Sequence, residues 1–103
     1  MLAAVNIGSI NTDTAIYTVP TGKQACISVN ALNRNASQAV KVRLAITNGA
    51  TPAGDGSQWI EFDATVDGAT PLERAGIVMK AGQVLYARTD TTNVNVVVWG
   101  IEE

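Results

Sequence analysis

The side chains that could do chemistry in this chain are few, because its 103 residues include no histidine and a single cysteine, Cys26. A reactive thiol needs a histidine partner or a cationic pocket, so we expect Cys26 to be a small, buried or half-buried apolar residue within a strand. The same composition nearly excludes a zinc site. Asp55 and Asp67 lie in glycine-rich loops without the spacing of a calcium-binding loop, and turn formation explains both. We therefore expect no metal, no cofactor and no enzyme activity.

A pair of carboxylates is the one arrangement that resembles an active site. Glu61 and Asp63 are two residues apart, so a strand would place them on one face about 7 Å apart, as a glycosidase pair could be. Nothing else in the sequence marks a sugar cleft, and such pairs are common on the wet face of a strand. Pairing across strands with Lys41 or Arg43 explains them without catalysis.

Trp59 and Trp99 are the aromatic candidates for ligand binding. Exposed on a sheet, they could stack against a sugar or single-stranded nucleic acid, although packing in the core or at an interface is the favoured interpretation. Seven Lys and Arg residues are spread thinly over a chain of net charge −2. Nucleic acids and anionic membranes both require clustered cations, so we expect neither as a partner.

Alternation of apolar and polar residues recurs along the whole chain and predicts strands, whereas helical patterns are weak. Short strands with turn signals between them favour one all-β domain over residues 1–103. We expect an antiparallel β-sandwich, jelly-roll-like or immunoglobulin-like in layout, with residues 1–10 as its first strand or an N-terminal arm. The eight predicted strands are residues 2–10, 15–19, 24–32, 39–47, 58–66, 72–79, 84–89 and 94–101.

Side-chain directions follow from the same alternation. In the fifth strand, Ile60 and Phe62 are expected on one face, with Glu61 and Asp63 on the other. Gly76 predicts a bulge or bend in the sixth strand. In the fourth strand, the expected inward residues are Val40, Val42, Leu44 and Ile46, and the outward ones are Lys41, Arg43, Ala45 and Thr47.

The eighth predicted strand is apolar on both faces. One row is Val94, Val96 and Val98; the other is Val97, Trp99 and Ile101. A sandwich normally buries only one face of each sheet. Either a loop or another chain must therefore cover the second row. The candidate interface residues are Val97, Trp99, Ile101 and Trp59.

Seven short segments, taken together, carry a resemblance to a known class of proteins. They are residues 18–23 (TVPTGK), 33–35 (NRN), 42–46 (VRLAI), 51–52 (TP), 59–63 (WIEFD), 72–78 (LERAGIV) and 99–103 (WGIEE). In this order they resemble small virion structural proteins of tailed bacteriophages, of the cyanophage and other aquatic phage type. The resemblance covers most of the chain from Tyr17 onward, and residues 1–10 lie outside it.

This resemblance implies a β-rich, non-enzymatic virion component, associated with the head as a decoration protein or with the tail or fibres. We expect a capsid decoration (cement) protein that binds the assembled head shell, with the phage major capsid protein or another virion protein as its partner. Self-association is also expected, with a trimer as the favoured state. The absence of a signal sequence and of paired cysteines predicts synthesis in the host bacterial cytoplasm. The alternatives are a tail, collar or fibre-base component and a carbohydrate-binding β-sandwich.

Overall fold

The computed structural model describes all residues from 1 to 103 and contains eight strands and no helix. No segment therefore forms a helix that could cross a bilayer. The strands are rich in β-branched residues, and β3 is buried at every second position, as expected for a pleated element with one face in the core. The strands are β1 Ala3–Asn6, β2 Thr14–Thr18, β3 Ala25–Asn33, β4 Val40–Thr47, β5 Trp59–Val66, β6 Pro71–Met79, β7 Val84–Thr89 and β8 Val94–Glu102.

Two antiparallel sheets of four strands form the sandwich, in the orders β1-β8-β3-β6 and β2-β7-β4-β5. The first half of the chain pairs with the second half throughout: β1 with β8, β2 with β7, β3 with β6, and β4 with β5. The chain is thus one long antiparallel hairpin rolled into two layers, which is the jelly-roll arrangement. An immunoglobulin layout is wrong for this chain, because its first two strands would share a sheet.

The core lies between the two sheets as a single cluster of 18 buried residues. Because both sheets and the segment after β1 contribute to it, the 103 residues form one domain, as predicted. The β-sandwich prediction is confirmed, and seven of the eight strands lie within one residue of the predicted bounds at each end. A bulge at Gly76 is also confirmed: its φ is 71°, and the pairing of β6 with β3 shifts between Ile27 and Val29.

The first strand is shorter than predicted, ending at Asn6 instead of residue 10. Ile7 still donates a backbone hydrogen bond to Val94 (2.9 Å), and its side chain is buried. Beyond it the chain must leave one sheet and cross to the other, where β2 begins. Asn11 makes the reversal with a positive φ of 51°, and the Thr12 hydroxyl donates to the Ile10 carbonyl (2.9 Å). The crossing, which the local pattern does not encode, is what shortens the strand.

Candidate functional site

The outer side of the sheet β1-β8-β3-β6, the β8 face, carries almost no charge. Glu73 of the edge strand β6 is the charged side chain among its outward residues, and it accepts a hydrogen bond from Asn30 Nδ2 (2.9 Å). The outward residues of the other three strands are Ala4, Asn6, Cys26, Ser28, Asn30, Leu32, Asn95, Val97, Trp99 and Ile101. Burying this face against a partner would therefore desolvate few charges.

Three of the predicted interface residues, Val97, Trp99 and Ile101, share the β8 face. Trp99 is 41% exposed and Ile101 is 63% exposed. The row continues sideways through Cys26, opposite Ile101, to Val78 of β6, which is 72% exposed. No loop of the chain covers this row, so that alternative is wrong and the surface faces solvent in the single chain.

Cys26 is exposed, which corrects the prediction of a buried or half-buried thiol. The alternation of β3 turns Ala25 and Ile27 into the core and Cys26 outward, and nothing lies over that side of the sheet. With Val78 and Ile101, Cys26 lines a shallow groove of about 230 Å³. The groove is mostly apolar, so it extends the apolar row across the sheet.

Gly100 allows β8 to lie close against β3 between Trp99 and Ile101. Its φ is 149°, and a Cβ atom at this position would overlap the carbonyl oxygen of Cys26. Only glycine tolerates this combination of dihedral angle and close approach. The position of Trp99 and Ile101 on the face therefore depends on a residue without a side chain.

The fourth predicted interface residue, Trp59, lies on the opposite sheet, so the four do not form one surface. Trp59 packs against a second small cluster of Ala45, Val84 and Tyr86 on the outer side of β2-β7-β4-β5, the β4 face. Ala45 and Thr47 do point to this side, as predicted, but both are buried instead of wet. Ala45 is the cross-strand partner of Trp59, so the indole of Trp59 explains why Ala45 is covered.

Ion pairs dominate the rest of the β4 face. Arg43 Nε lies 2.6 Å from Asp63 Oδ1, and a second Arg43 nitrogen lies 3.2 Å from Oδ2. The hydrogen bonds between the two groups hold the pKa of Asp63 below its usual range and raise that of Arg43. Next to this pair, Arg88 lies 3.4 Å from Asp13. The predicted pairing of Asp63 with Arg43 across strands is therefore confirmed.

Glu61 does not join Asp63 on this face. Its carboxylate lies 2.6 Å from a guanidinium nitrogen of Arg74, on β6 of the other sheet. The same Arg74 nitrogen also donates to the Ile60 carbonyl (3.1 Å). Glu61 and Arg74 thus join the two sheets along their open edges, and the two carboxylates do not form a catalytic pair.

Two irregularities in β5 explain why its side chains depart from simple alternation. Between the pairs Ala45–Trp59 and Val40–Val66, β4 advances five residues while β5 advances seven. Asp63 takes a positive φ of 53° within the strand. Because of the extra residues, Phe62 points outward while Ile60 packs against the core. The prediction that these two residues share a face is therefore wrong.

Phe62 and Trp59 form an aromatic pair at the rim of the ion-pair network. Their ring centroids are 6.2 Å apart at an interplanar angle of 70°. The guanidinium carbon of Arg43 lies 4.0 Å from the Phe62 centroid and 5.7 Å from the Trp59 ring. Both distances are within the range of a cation–π interaction. Arg43 thus forms an ion pair with Asp63 and a cation–π contact with the Phe62 ring.

Two adjoining clefts run along the β4 face and share Arg43 and Arg88. The smaller, of about 210 Å³, has only polar lining residues. The larger, of about 390 Å³, lies between the strands and residues 52–56 of the longest loop, with Trp59 and Phe62 in its wall. The aromatic pair and the ion pairs therefore border one continuous depression.

The remaining candidates have structural roles. Asp55 Oδ1 accepts the backbone N–H of Ser57 (3.0 Å), a turn contact that lowers the pKa of Asp55. The Asp67 carbonyl accepts the Thr70 hydroxyl (2.7 Å) in the turn before β6. No cluster of three or more Cys, Asp or Glu residues could hold a metal ion. Comparison with protein-family models, curated proteins and solved structures finds no match.

Proposed function

We propose that this chain is a structural protein of a phage virion, and specifically a capsid decoration protein that binds and stabilises the assembled head shell. The resemblance of its segments to virion structural proteins supports this assignment. The observation that carries it is the β8 face, where Trp99 and Ile101 lie exposed in one row with the half-buried Val97 on a nearly uncharged sheet. Such a surface suits a lasting contact better than a wet exterior.

The energetics of the β8 face favour burial. Covering an exposed Trp or Ile side chain contributes about 1.5–3 kcal/mol at roughly 25 cal/mol per Å² of apolar surface. The outward groups of β1, β8 and β3 carry no charge whose desolvation would oppose this gain. The cross-strand neighbours of Trp99 and Ile101 are Ser28 and Cys26, which are small enough to admit side chains from a partner.

The size of the β8 face supports self-association. Four strands at usual spacing, the longest having nine residues, span a flat area of roughly 500 Å², which fits the smaller protein interfaces of under about 1,200 Å² in total. A single copy would therefore bind weakly. We propose a trimer whose copies bind the shell together, because linked contacts add avidity. A protein that binds only the assembled lattice stabilises it by mass action.

The test is binding to purified shells that lack this chain, followed by co-sedimentation. Ile101→Lys and Trp99→Lys place a charge in the centre of the β8 face and should weaken binding at least about tenfold. Phe62→Lys is the matched control, an equally exposed apolar residue on the opposite sheet, and should bind like the original protein. Unfolding midpoints of all three variants establish that the fold is intact.

Copy number in purified virions separates the head from the tail. Hundreds of copies per particle support decoration, whereas a dozen or fewer support a tail, collar or fibre-base component that uses the same face. Light scattering should give a mass of about 32 kDa for a trimer of 10.7 kDa chains. Equal binding by Ile101→Lys and the original protein would contradict the docking role of the β8 face.

A further inference from the structure

We infer that the β4 face binds a neutral saccharide in the cleft between Phe62 and the loop of residues 52–56. This site is separate from the β8 face, because the two lie on opposite outer sides of the sandwich. Three features carry the inference: an aromatic platform, a set of partly used hydrogen-bonding groups, and a charge balance that disfavours ionic ligands.

The platform is the Phe62 ring. The guanidinium carbon of Arg43 lies 4.0 Å from the centroid of this ring. Phe62 nevertheless remains 59% exposed. Trp59 forms a T-shaped pair with this ring, lines the same cleft and packs on the small cluster of Ala45, Val84 and Tyr86. A sugar ring has a face of C–H groups that packs against such an aromatic surface, while its hydroxyls point sideways to polar groups.

An exposed phenylalanine alone would need no explanation, since single exposed apolar residues are normal. Here, however, the backbone is distorted to present it. Asp63, immediately after Phe62, has a positive φ of 53°, a conformation that is unfavourable for residues other than glycine. The Arg43–Asp63 pair holds that residue in place. Bulges are over-represented at sheet edges, where β5 lies, and next to active sites, where they redirect a side chain.

The polar groups of the cleft suit hydroxyls. A guanidinium has five N–H donors, and Arg43 uses two of them on Asp63, leaving three. Each carboxylate oxygen of Asp63 can accept more than the one hydrogen bond that it has. A sugar hydroxyl both donates and accepts, so adjacent hydroxyls can bind a donor and an acceptor that are already fixed side by side.

The charge balance argues against other ligands. Three cations, Lys41, Arg43 and Arg88, line the two clefts together with four carboxylates. Arg43 and Arg88 are already paired within the chain. A phosphate, a nucleic acid or an acidic sugar would meet a region of slight negative charge with little free positive charge. An apolar peptide would find one cleft with no apolar lining residue.

The size of the site fits one or two sugar rings. The larger cleft has about 390 Å³, within the usual 300–1,000 Å³ of small-ligand sites, and it opens into the smaller polar one. Should the β8 face bind the shell as proposed, the β4 face would point away from it. The saccharide would then belong to a surface that the particle meets.

The experiment is an array of neutral and acidic oligosaccharides, followed by titration of the strongest neutral ligand. Trp99→Phe leaves Trp59 as the single indole, so its fluorescence reports occupancy of the cleft. We expect saturable binding, a change in Trp59 emission, and a dissociation constant raised about tenfold or more by Phe62→Ala. Trp99→Ala, the matched aromatic change on the other sheet, should leave the dissociation constant unchanged.

Three outcomes would overturn the inference: no saturable binding to any neutral sugar at millimolar concentration, stronger binding to acidic sugars, or equal losses in Phe62→Ala and Trp99→Ala. Arg43→Lys provides a second readout if Phe62→Ala unfolds. It keeps the charge but loses the planar fork, so it should weaken neutral sugar binding while retaining the fold. Shell binding by the Ile101→Lys variant is scored separately, so the two proposals can fail independently.

Discussion

The two outer faces of this sandwich are built from the same kind of sheet but differ in whether their side chains contact partners within the chain. On the β4 face, Arg43 pairs with Asp63, Arg88 pairs with Asp13, and Trp59 covers a small apolar cluster. On the β8 face, Trp99 and Ile101 have nothing over them. The main side chains of the β4 face therefore contact partners within the chain, whereas Trp99 and Ile101 of the β8 face do not.

The contrast between the β4 face and the β8 face shows how one small domain can offer two kinds of contact. Paired charges stay hydrated and keep their geometry without a partner, which suits reversible binding of a small polar ligand. Exposed apolar side chains contribute favourable free energy only when a partner removes them from water, which suits a lasting interface. Low overall charge, 16% of residues, therefore conceals an uneven distribution between the two faces.

The largest expected effect comes from the strand that forms the β8 face. Gly100→Ala should lower the free energy of unfolding by more than about 3 kcal/mol, because the new Cβ overlaps the carbonyl of Cys26 at a backbone angle that alanine avoids. Urea unfolding at 25 °C measures it. Gly8→Ala is the control, since no heavy atom lies within 4 Å of its Cβ position. Similar unfolding energies for the two variants would show that the close approach is relieved at little cost.

An intermediate effect is expected where the two sheets are joined. The Tyr17 hydroxyl, from β2, donates to Glu102 Oε1 of β8 at 2.6 Å. Tyr17→Phe should lower the free energy of unfolding by about 1.5–3 kcal/mol at pH 7, the usual value for a hydrogen bond to a charged group. Thermal unfolding measures the loss. An unchanged midpoint would mean that water replaces the carboxylate equally well.

The same contact predicts a dependence on alkaline pH. Burial, and then the hydrogen bond to Glu102, raise the pKa of Tyr17 above its ordinary value of 10.0. Above pH 10 the unfolded chain releases this proton while the folded chain retains it, so stability is complete below pH 10 and falls as pH rises further. The difference in free energy of unfolding between the original protein and Tyr17→Phe should therefore shrink above pH 10 and stay constant between pH 6 and 9.

The smallest effect concerns the strained residue of the β4 face. Asp63→Ala and Asp63→Gly both lose the pair with Arg43, but only glycine tolerates a φ of 53° freely. The glycine variant should therefore unfold about 5 °C above the alanine variant. Equal midpoints would indicate that β5 relaxes once the ion pair is gone, and the bulge would then depend on Arg43.

Most of the fold could be predicted because strand patterns are local. Alternation over residues 84–89 and 94–101 identifies β7 and β8 almost to the residue, and Gly76 predicts the bulge in β6. The candidate sites were harder. Simple alternation places Phe62 in the row of Ile60, because the extra residues of β5 are visible only in its pairing with β4. Nothing in the sequence around Cys26 indicated that its side of the sheet would lie bare.

Local patterns are enough to predict the β-sandwich and the second apolar row of β8, since a period of two along a strand needs only near neighbours. The positions of Trp59 and Trp99 on opposite sheets are visible only in the folded chain, as is the position of residues 52–56 beside the β4 face and not the β8 face. Strand order, bulges and the cover over a sheet depend on contacts between residues far apart in the chain, and no local pattern records those contacts.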